Sequence, residues 1–189
     1  MGEPGTKEPL TLEELEASAG VRTGRKHILS ILVENKPGVL TRIAGLFARR
    51  GFNIDTLAVG PTDDESLSRI TLTLDGAMHP IDQVTKQLHK LVNVIKIRDL
   101  EPSETVAREL ALFKVTADGP ARGEVMQIVE IFRGKIIDIS DKTFTIEVTG
   151  SVDKVDAMEN LLAPYGIQEM VRTGKIVMLR GSRTAGGVG

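Results

Sequence analysis

The chain has 189 residues, 41% of them hydrophobic, with 24 basic and 26 acidic residues and a formal net charge of −2. That is enough apolar material for one domain or two small ones, and the near balance of charge argues against a non-specific nucleic-acid binder or a membrane-surface protein. The absence of cysteine excludes disulfides, thiolate metal sites and thiol nucleophiles and suits a cytoplasmic setting; no apolar run approaches the ~20 residues of a membrane span.

Residues 1–26 read as an N-terminal extension in which Thr11 and Glu14 form a capping box for a short helix over 12–18. A strand follows over 27–33, "HILSILV", and then an amphipathic helix over 39–50 with Leu40, Ile43, Ala44 and Phe47 on one stripe. Gly51 is placed to end that helix as a left-handed cap, and Arg49 and Arg50 complement the negative end of its dipole. Strand 53–59, the turn-rich "PTDDE" and strand 67–74 come next. In the latter, Ile70, Leu72 and Leu74 point inward and Arg69, Thr71 and Thr73 outward. A helix over 80–91, with Pro80 in its first turn and Ile81, Val84, Leu88 and Leu91 on one side, and a strand over 93–99 complete the unit 27–100.

The order βαββαβ is that of a ferredoxin-like sandwich. After a linker over 101–108 the order recurs over 109–180: strand 109–117, helix 121–132, strands 136–140 and 143–149, helix 151–163 and strand 167–179. Val125, Ile128, Val129 and Phe132 form the stripe of one helix, and Val155, Met158 and Leu162 that of the other. The expected class is therefore α+β, with two ferredoxin-like βαββαβ domains, and residues 181–189, "GSRTAGGVG", form a disordered tail.

Reactive chemistry is hard to find. His27, His79 and His89 have no partners at metal-ligand spacing, and acid pairs such as Asp63-Asp64-Glu65 lie in turns with no base beside a nucleophile. "DGPARGE", 118–124, enters a helix and reads first as a plain turn, with an anion cradle as the rarer alternative. No catalytic residue and no metal site is assigned. RNA-binding modules share the βαββαβ order but stack bases on sheet aromatics. The strand "SLSRITLTL" carries none, and the chain has one Tyr, five Phe and no Trp.

The most informative stretch is "VENKPGVLTRIAGLFARRGFNI", 33–54. Gly38 stands where a strand turns into a helix whose first amides are unpaired and whose dipole is positive there, a place that suits a carboxylate. Asn35 and Asn53 offer neutral amides to an ammonium, and Val39, Leu40 and Ile54 lie near enough in sequence to line a small apolar pocket. A free aliphatic amino acid fits that combination. A dozen helical residues separate Gly38 from Asn53 by ~18 Å, so one small ligand touches both only if they come from two chains, which requires a two-fold dimer. On spacing alone the same residues also read as an ordinary Pro-Gly turn and a polar residue after a helix cap.

The motifs "NKPGVL" and "FARRGFNI", with "KQLHKLVNVIKIRDL" and "IVEIFRGKIIDIS" further on, resemble the small, regulatory subunit of acetolactate synthase (acetohydroxyacid synthase) over roughly 27–180. The first half resembles its ACT domain, an amino-acid-sensing module. The resemblance implies a chain with no activity of its own. Its partner would be a catalytic large subunit carrying thiamin diphosphate, Mg2+ and FAD. It would activate that partner and confer feedback inhibition by valine or another branched-chain amino acid. Carried over by position, the family's effector site falls on Asn35, Gly38, Val39, Leu40, Asn53 and Ile54. No cofactor is implied in this chain, and neither nucleic acid nor membrane is expected as a partner. The rival readings are an ACT-type sensor of another amino-acid enzyme, an RNA-binding module, and a small enzyme with an unrecognised site.

Overall fold

The computed structural model describes residues 26–75 and 81–185. In the first unit, β1 (Lys26–Glu34), α1 (Val39–Arg50), β2 (Ile54–Pro61), β3 (Leu67–Asp75), α2 (Ile81–Leu88) and β4 (Val94–Asp99) follow in order. They build an antiparallel sheet ordered β2-β3-β1-β4. The second unit has β5 (Thr105–Thr116), α3 (Ala121–Ile131), β6 (Lys135–Ile139), β7 (Thr143–Gly150), α4 (Val152–Leu162), β8 (Ile167–Arg172) and β9 (Ile176–Leu179). Its sheet runs β6-β7-β5-β8, and β9 pairs with the start of β5. Each unit is a ferredoxin-like βαββαβ sandwich. The expected helix over 12–18 and Pro80 at the start of the expected second helix lie outside the described residues.

Helix α1 is bounded by two glycines in the left-handed region, Gly38 and Gly51. At its C-terminus the Gly51 N–H donates to Ala48 O at 3.2 Å and the Phe52 N–H to Phe47 O at 3.0 Å, the paired bonds of a Schellman cap. The buried face consists of Val39, Ile43, Leu46 and Phe47. This corrects the expected stripe: Ala44 is exposed and Leu40 is 42% exposed. The expected positions 40, 43, 44 and 47 follow i, i+3, i+4, i+7 and the buried ones 39, 43, 46 and 47 follow i, i+4, i+7, i+8; both are helical stripes, and burying Val39 and Leu46 removes more apolar area from water than burying Ala44 would. Phe47 is sealed in the first core beneath Leu29, Ile31, Ile70 and Leu72, with its ring edge-on to Phe52 at 5.7 Å. In the second unit Phe113, Val115, Phe144, Ile146 and Val148 pack under Val125, Val129, Val155, Met158 and Leu162, as the two helical stripes required.

The outer face of the first sheet is not a solvent face. Thr71 and Thr73, expected to point to water, are buried along with Ser30. Strand alternation assigns a side chain to a side of the sheet, and what covers that side is decided elsewhere in the chain. Here the second domain supplies part of the cover. Ile28 of β1 packs with Leu100 and Val177 in a small third core, and Gly174 lies against Thr56. The buried hydroxyls remain bonded: Thr73 Oγ1 lies 2.6 Å from Thr56 Oγ1, and Arg69 Nη1 donates to Ser30 Oγ at 3.1 Å. Among the described residues no buried side-chain nitrogen or oxygen lacks a partner.

Two segments differ from expectation at this junction. Within 101–108, read as a linker, Pro102–Glu104 forms a 3-10 turn. Thr105–Arg108 is already β5, paired with Leu179–Ile176 of β9. The continuous strand expected over 167–179 is broken into β8 and β9 by residues 173–175. The start of the expected tail is also placed, with Arg183 Nη1 donating to Glu104 Oε1 at 2.8 Å.

Phe47→Ala is expected to destabilise the first domain by about 3–5 kcal/mol, whereas Leu40→Ala, on the exposed side of the same helix, should cost less than about 1 kcal/mol. Urea unfolding midpoints of the two variants check this, and similar losses would contradict the burial assignment.

Candidate functional site

The candidate residues fall at the two ends of α1. Gly38 caps its N-terminus with φ 83° and makes no side-chain cap bond, and no acidic residue stands in the first turn. The N–H groups of Gly38, Leu40 and Thr41 have no intrahelical acceptor by position, and that of Val39 reaches Lys36 O only at 3.4 Å. A Cβ built on Gly38 would meet nothing within 4 Å. The helix therefore presents a positive, glycine-open end to free space, the local requirement for a carboxylate.

The loop leading into that end is braced. Glu34 accepts from Asn93 Nδ2 at 2.5 Å and from Lys36 Nζ at 3.1 Å, and Asn93 Oδ1 in turn accepts from Arg42 Nη1 at 2.8 Å. The bond from Asn93, and after it the Lys36 ammonium, hold the Glu34 carboxyl below its ordinary pKa. Asn35 is also a strut. Its N–H donates to Ser66 O at 2.6 Å and its Nδ2 to Glu65 O at 2.9 Å. That turn is stiffened by Asp64, whose carboxylate takes the Ser66 hydroxyl at 2.6 Å and the Ser66 N–H at 2.9 Å and is lowered in pKa by both bonds. The Asn35 side-chain nitrogen is thus committed to the scaffold. Val39 is a core residue beneath the helix end, and Leu40 is exposed beside it.

At the other end Asn53 is exposed, with Nδ2 3.5 Å from Asp55 Oδ1, and Ile54 packs partly buried against the first core. Within one chain the structure thus brings Asn35, Gly38, Val39 and Leu40 together and keeps Asn53 and Ile54 apart from them, at the far end of a 12-residue helix that is ~18 Å long.

Sequence reasoning missed what lies between. The register of β2 against β3 shifts between Ile54 and Thr56, a bulge that re-aims the strand. Beyond it Leu57 pairs with Leu72 and Val59 with Ile70. They therefore share the sheet's helix-side face with the core, yet Leu57 is 37% and Val59 47% exposed. The edge strand beside α1 carries an uncovered apolar row. The alternation of Leu57 and Val59 was available as a signal, but their side of the sheet depends on the extra residue at Asp55.

The remaining motifs resolve as structure. Arg122 of "DGPARGE" turns inward, donating to the carbonyls of Ala117, Ser140 and Asp141 at 3.0–3.1 Å and lying 4.5 Å over the Phe144 ring. His27 Nδ1 lies 2.9 Å from Asp99 Oδ2, His89 is exposed and His79 lies outside the described residues. Among the described residues no three His, Cys, Asp or Glu side chains gather to hold a metal, and no helix is long and apolar enough to cross a membrane.

Comparison with known proteins places this architecture. Residues 29–96 match the family described as "AHAS small subunit-like ACT domain", and residues 108–181 match "Small subunit of acetolactate synthase". The chain belongs to the acetolactate synthase small-subunit family. It is 49% identical over 160 residues to the acetolactate synthase small subunit of Mycolicibacterium smegmatis, covering 85% of this chain and 94% of that one. It is 52% identical over 159 residues to the probable small subunit of Methanothermobacter thermautotrophicus, covering 84% and 95%. The crystal structure of the Thermotoga maritima small subunit superimposes with a TM-score of 0.78 at 45% identity, over 84% of this chain and 99% of that one. The chain is accordingly a regulatory, not a catalytic, subunit, and its first domain is an ACT domain.

Because the Glu34 pKa is lowered in the folded chain, its bracing of the loop is fully present above the ordinary carboxylate range and is lost as pH falls through the lowered value. In an NMR titration the amides of Asn35, Lys36 and Gly38 should report this acid-shifted midpoint, and Asn93→Ala should return it toward that of a free glutamate.

Proposed function

We propose that this small subunit binds a branched-chain amino acid, valine or a close relative, between the ACT domains of two chains, activates the thiamin-diphosphate-dependent catalytic subunit, and transmits feedback inhibition to it. The observation that carries the reading is Gly38: left-handed, uncapped, and open to space at the positive end of α1. The ligand carboxylate would sit on the amides there. The ammonium would find the neutral amide of Asn53 from the second chain, with Ile54 and Leu40 flanking the side chain.

The uncovered apolar row of Leu57 and Val59 on edge strand β2, together with exposed Leu40 on α1, supports a two-chain site. A two-fold axis against this side of the domain sets two α1 helices antiparallel and brings the Gly38 end of one to the Asn53 end of the other. Feedback inhibition then requires only that valine bind one arrangement of the holoenzyme better than the other. A coupling of about 1–3 kcal/mol changes activity about 5–150-fold. The cofactors named for the partner, thiamin diphosphate, Mg2+ and FAD, belong to the large subunit on this reading. An RNA-binding role finds no support, because the outer face of the first sheet offers buried Ser30, Thr71 and Thr73 where stacking aromatics would be needed.

Gly38→Asp places a negative charge at the carboxylate position. Aspartate is among the residues that tolerate a left-handed backbone best, so the variant should fold, keep most of its activation of the large subunit, and lose valine inhibition by at least about tenfold in half-inhibitory concentration. Asn53→His should act in the same direction by removing the amide. Valine titration of the reconstituted complex checks both, and unaltered curves would refute the site. The isolated chain should form no acetolactate from pyruvate, and calorimetry on it should detect valine, leucine or isoleucine binding.

A further inference from the structure

Thr56 stands two residues beyond Ile54, just past the bulge of β2, and the second domain comes close to it there. A Cβ at Gly174 would lie 2.9 Å from Thr56 Cβ and 3.4 Å from its Oγ1, and Gly174 has φ +76°. Close approach and a left-handed backbone each require glycine at this position. Gly174 lies in the turn that separates β8 from β9, so the break in the expected strand and the contact with β2 are one feature.

Both sides of the contact are held. On the second-domain side the Thr173 N–H donates to Leu110 O at 3.0 Å and the Leu110 N–H to Thr173 Oγ1 at 3.1 Å. Arg172, just before the turn, is clasped by the buried carboxylate of Glu109 and by Asp156 Oδ1 at 2.6 Å. Burial works against its charge, and the bonds to Asp156 and Glu109 outweigh that and keep its pKa raised. After the turn, Ile176 pairs with Arg108 and Val177 enters the small core with Ile28 and Leu100. On the first-domain side the Thr56 hydroxyl is bonded to that of Thr73. Thr56 Cβ cannot be rotated away from a neighbouring backbone, so no side chain fits between the two, and a movement of one side toward the other meets the opposing atoms. Beside the contact a cleft of about 580 Å³, lined by Lys26, Asp55 and Thr56 on one domain and by Glu109, Arg172 and Lys175 on the other, leaves room for the domains to tilt.

We propose that the Gly174 turn is a coupling latch: β2 and the second domain shift together through the Thr56–Gly174 contact, so that ligand binding at the Asn53 and Ile54 end of β2 is relayed to the second domain. The relay rests on the effector reading above; the mechanical contact does not.

Hydrogen exchange on the full chain tests the contact through a double-variant cycle. Gly174→Ala should speed exchange of the Thr56 to Ala58 amides by about tenfold or more, with α4 and β7 unchanged. Thr56→Gly removes the opposing Cβ, and in that background Gly174→Ala should add nothing at β2. An equal increase in both backgrounds, or none in either, would show local backbone strain only and overturn the latch. In the complex reconstituted with the large subunit, Gly174→Ala should shift half-inhibition by valine about fivefold or more, with calorimetric valine affinity of the isolated chain altered less than about twofold. Half-inhibition equal to wild type overturns the relay. A wild-type chain that binds no branched-chain amino acid retires the effector reading and the relay together, while the exchange cycle still decides the contact.

Discussion

The length of one rigid helix decides which of the candidate residues a single small molecule can reach. Helix α1 spans Val39–Arg50, and 1.5 Å per residue fixes its ends ~18 Å apart whatever the rest of the molecule does. Glycines in left-handed geometry terminate it at both ends, so it does not continue into its loops. The polar groups that suit a zwitterion stand at opposite ends of this rod. They converge on a valine-sized molecule only when two rods lie side by side. The uncovered Leu57 and Val59 on edge strand β2 would give the proposed arrangement an apolar contact, so packing and recognition would draw on the same surface.

A second constraint acts on the other face of the same sheet. Ser30, Thr71 and Thr73 are buried there with their hydrogen-bonding needs met inside the protein. A polar face of this kind is stable when covered only if its hydroxyls find partners, and the Thr56–Thr73 bond is one such pair. The cover comes in part from the second domain, whose β8–β9 turn reaches β2. The strand that borders the candidate ligand site on one side thus touches the other domain on the other, two residues away. Proximity of this kind gives an ACT domain a short physical route to the remainder of its own chain.

The sequence was most legible where a single residue dictates the backbone. Gly38 and Gly51 fixed the limits of α1 at the observed positions, and the α4 stripe of Val155, Met158 and Leu162 matches the buried set. Legibility failed where tertiary contacts chose between two acceptable patterns. Leu40 and Ala44 lost to Val39 and Leu46 because the sheet selects the roll of the helix. Thr71 and Thr73 alternate as outward residues should, and their burial follows from a segment a hundred residues later. Gly174 inside an apparent strand was a readable sign of a break or a close approach; its partner, Thr56, was not readable from any local pattern. Of the candidate residues, Gly38 is left-handed and open at the start of α1, Asn35 serves first as a strut, and Val39 belongs to the core.

The continuous course of β5 bears on how the protein can be divided. Its opening four residues pair with β9 and the rest with β7 and β8, so the passage between domains is a strand anchored on both sides. Cutting the chain in two there would strip Val177 from Ile28 and Leu100 and bare an apolar patch on each fragment. Dissection by truncation would therefore report on sticky half-molecules, and separating sensing from activation calls for point changes in the intact polypeptide.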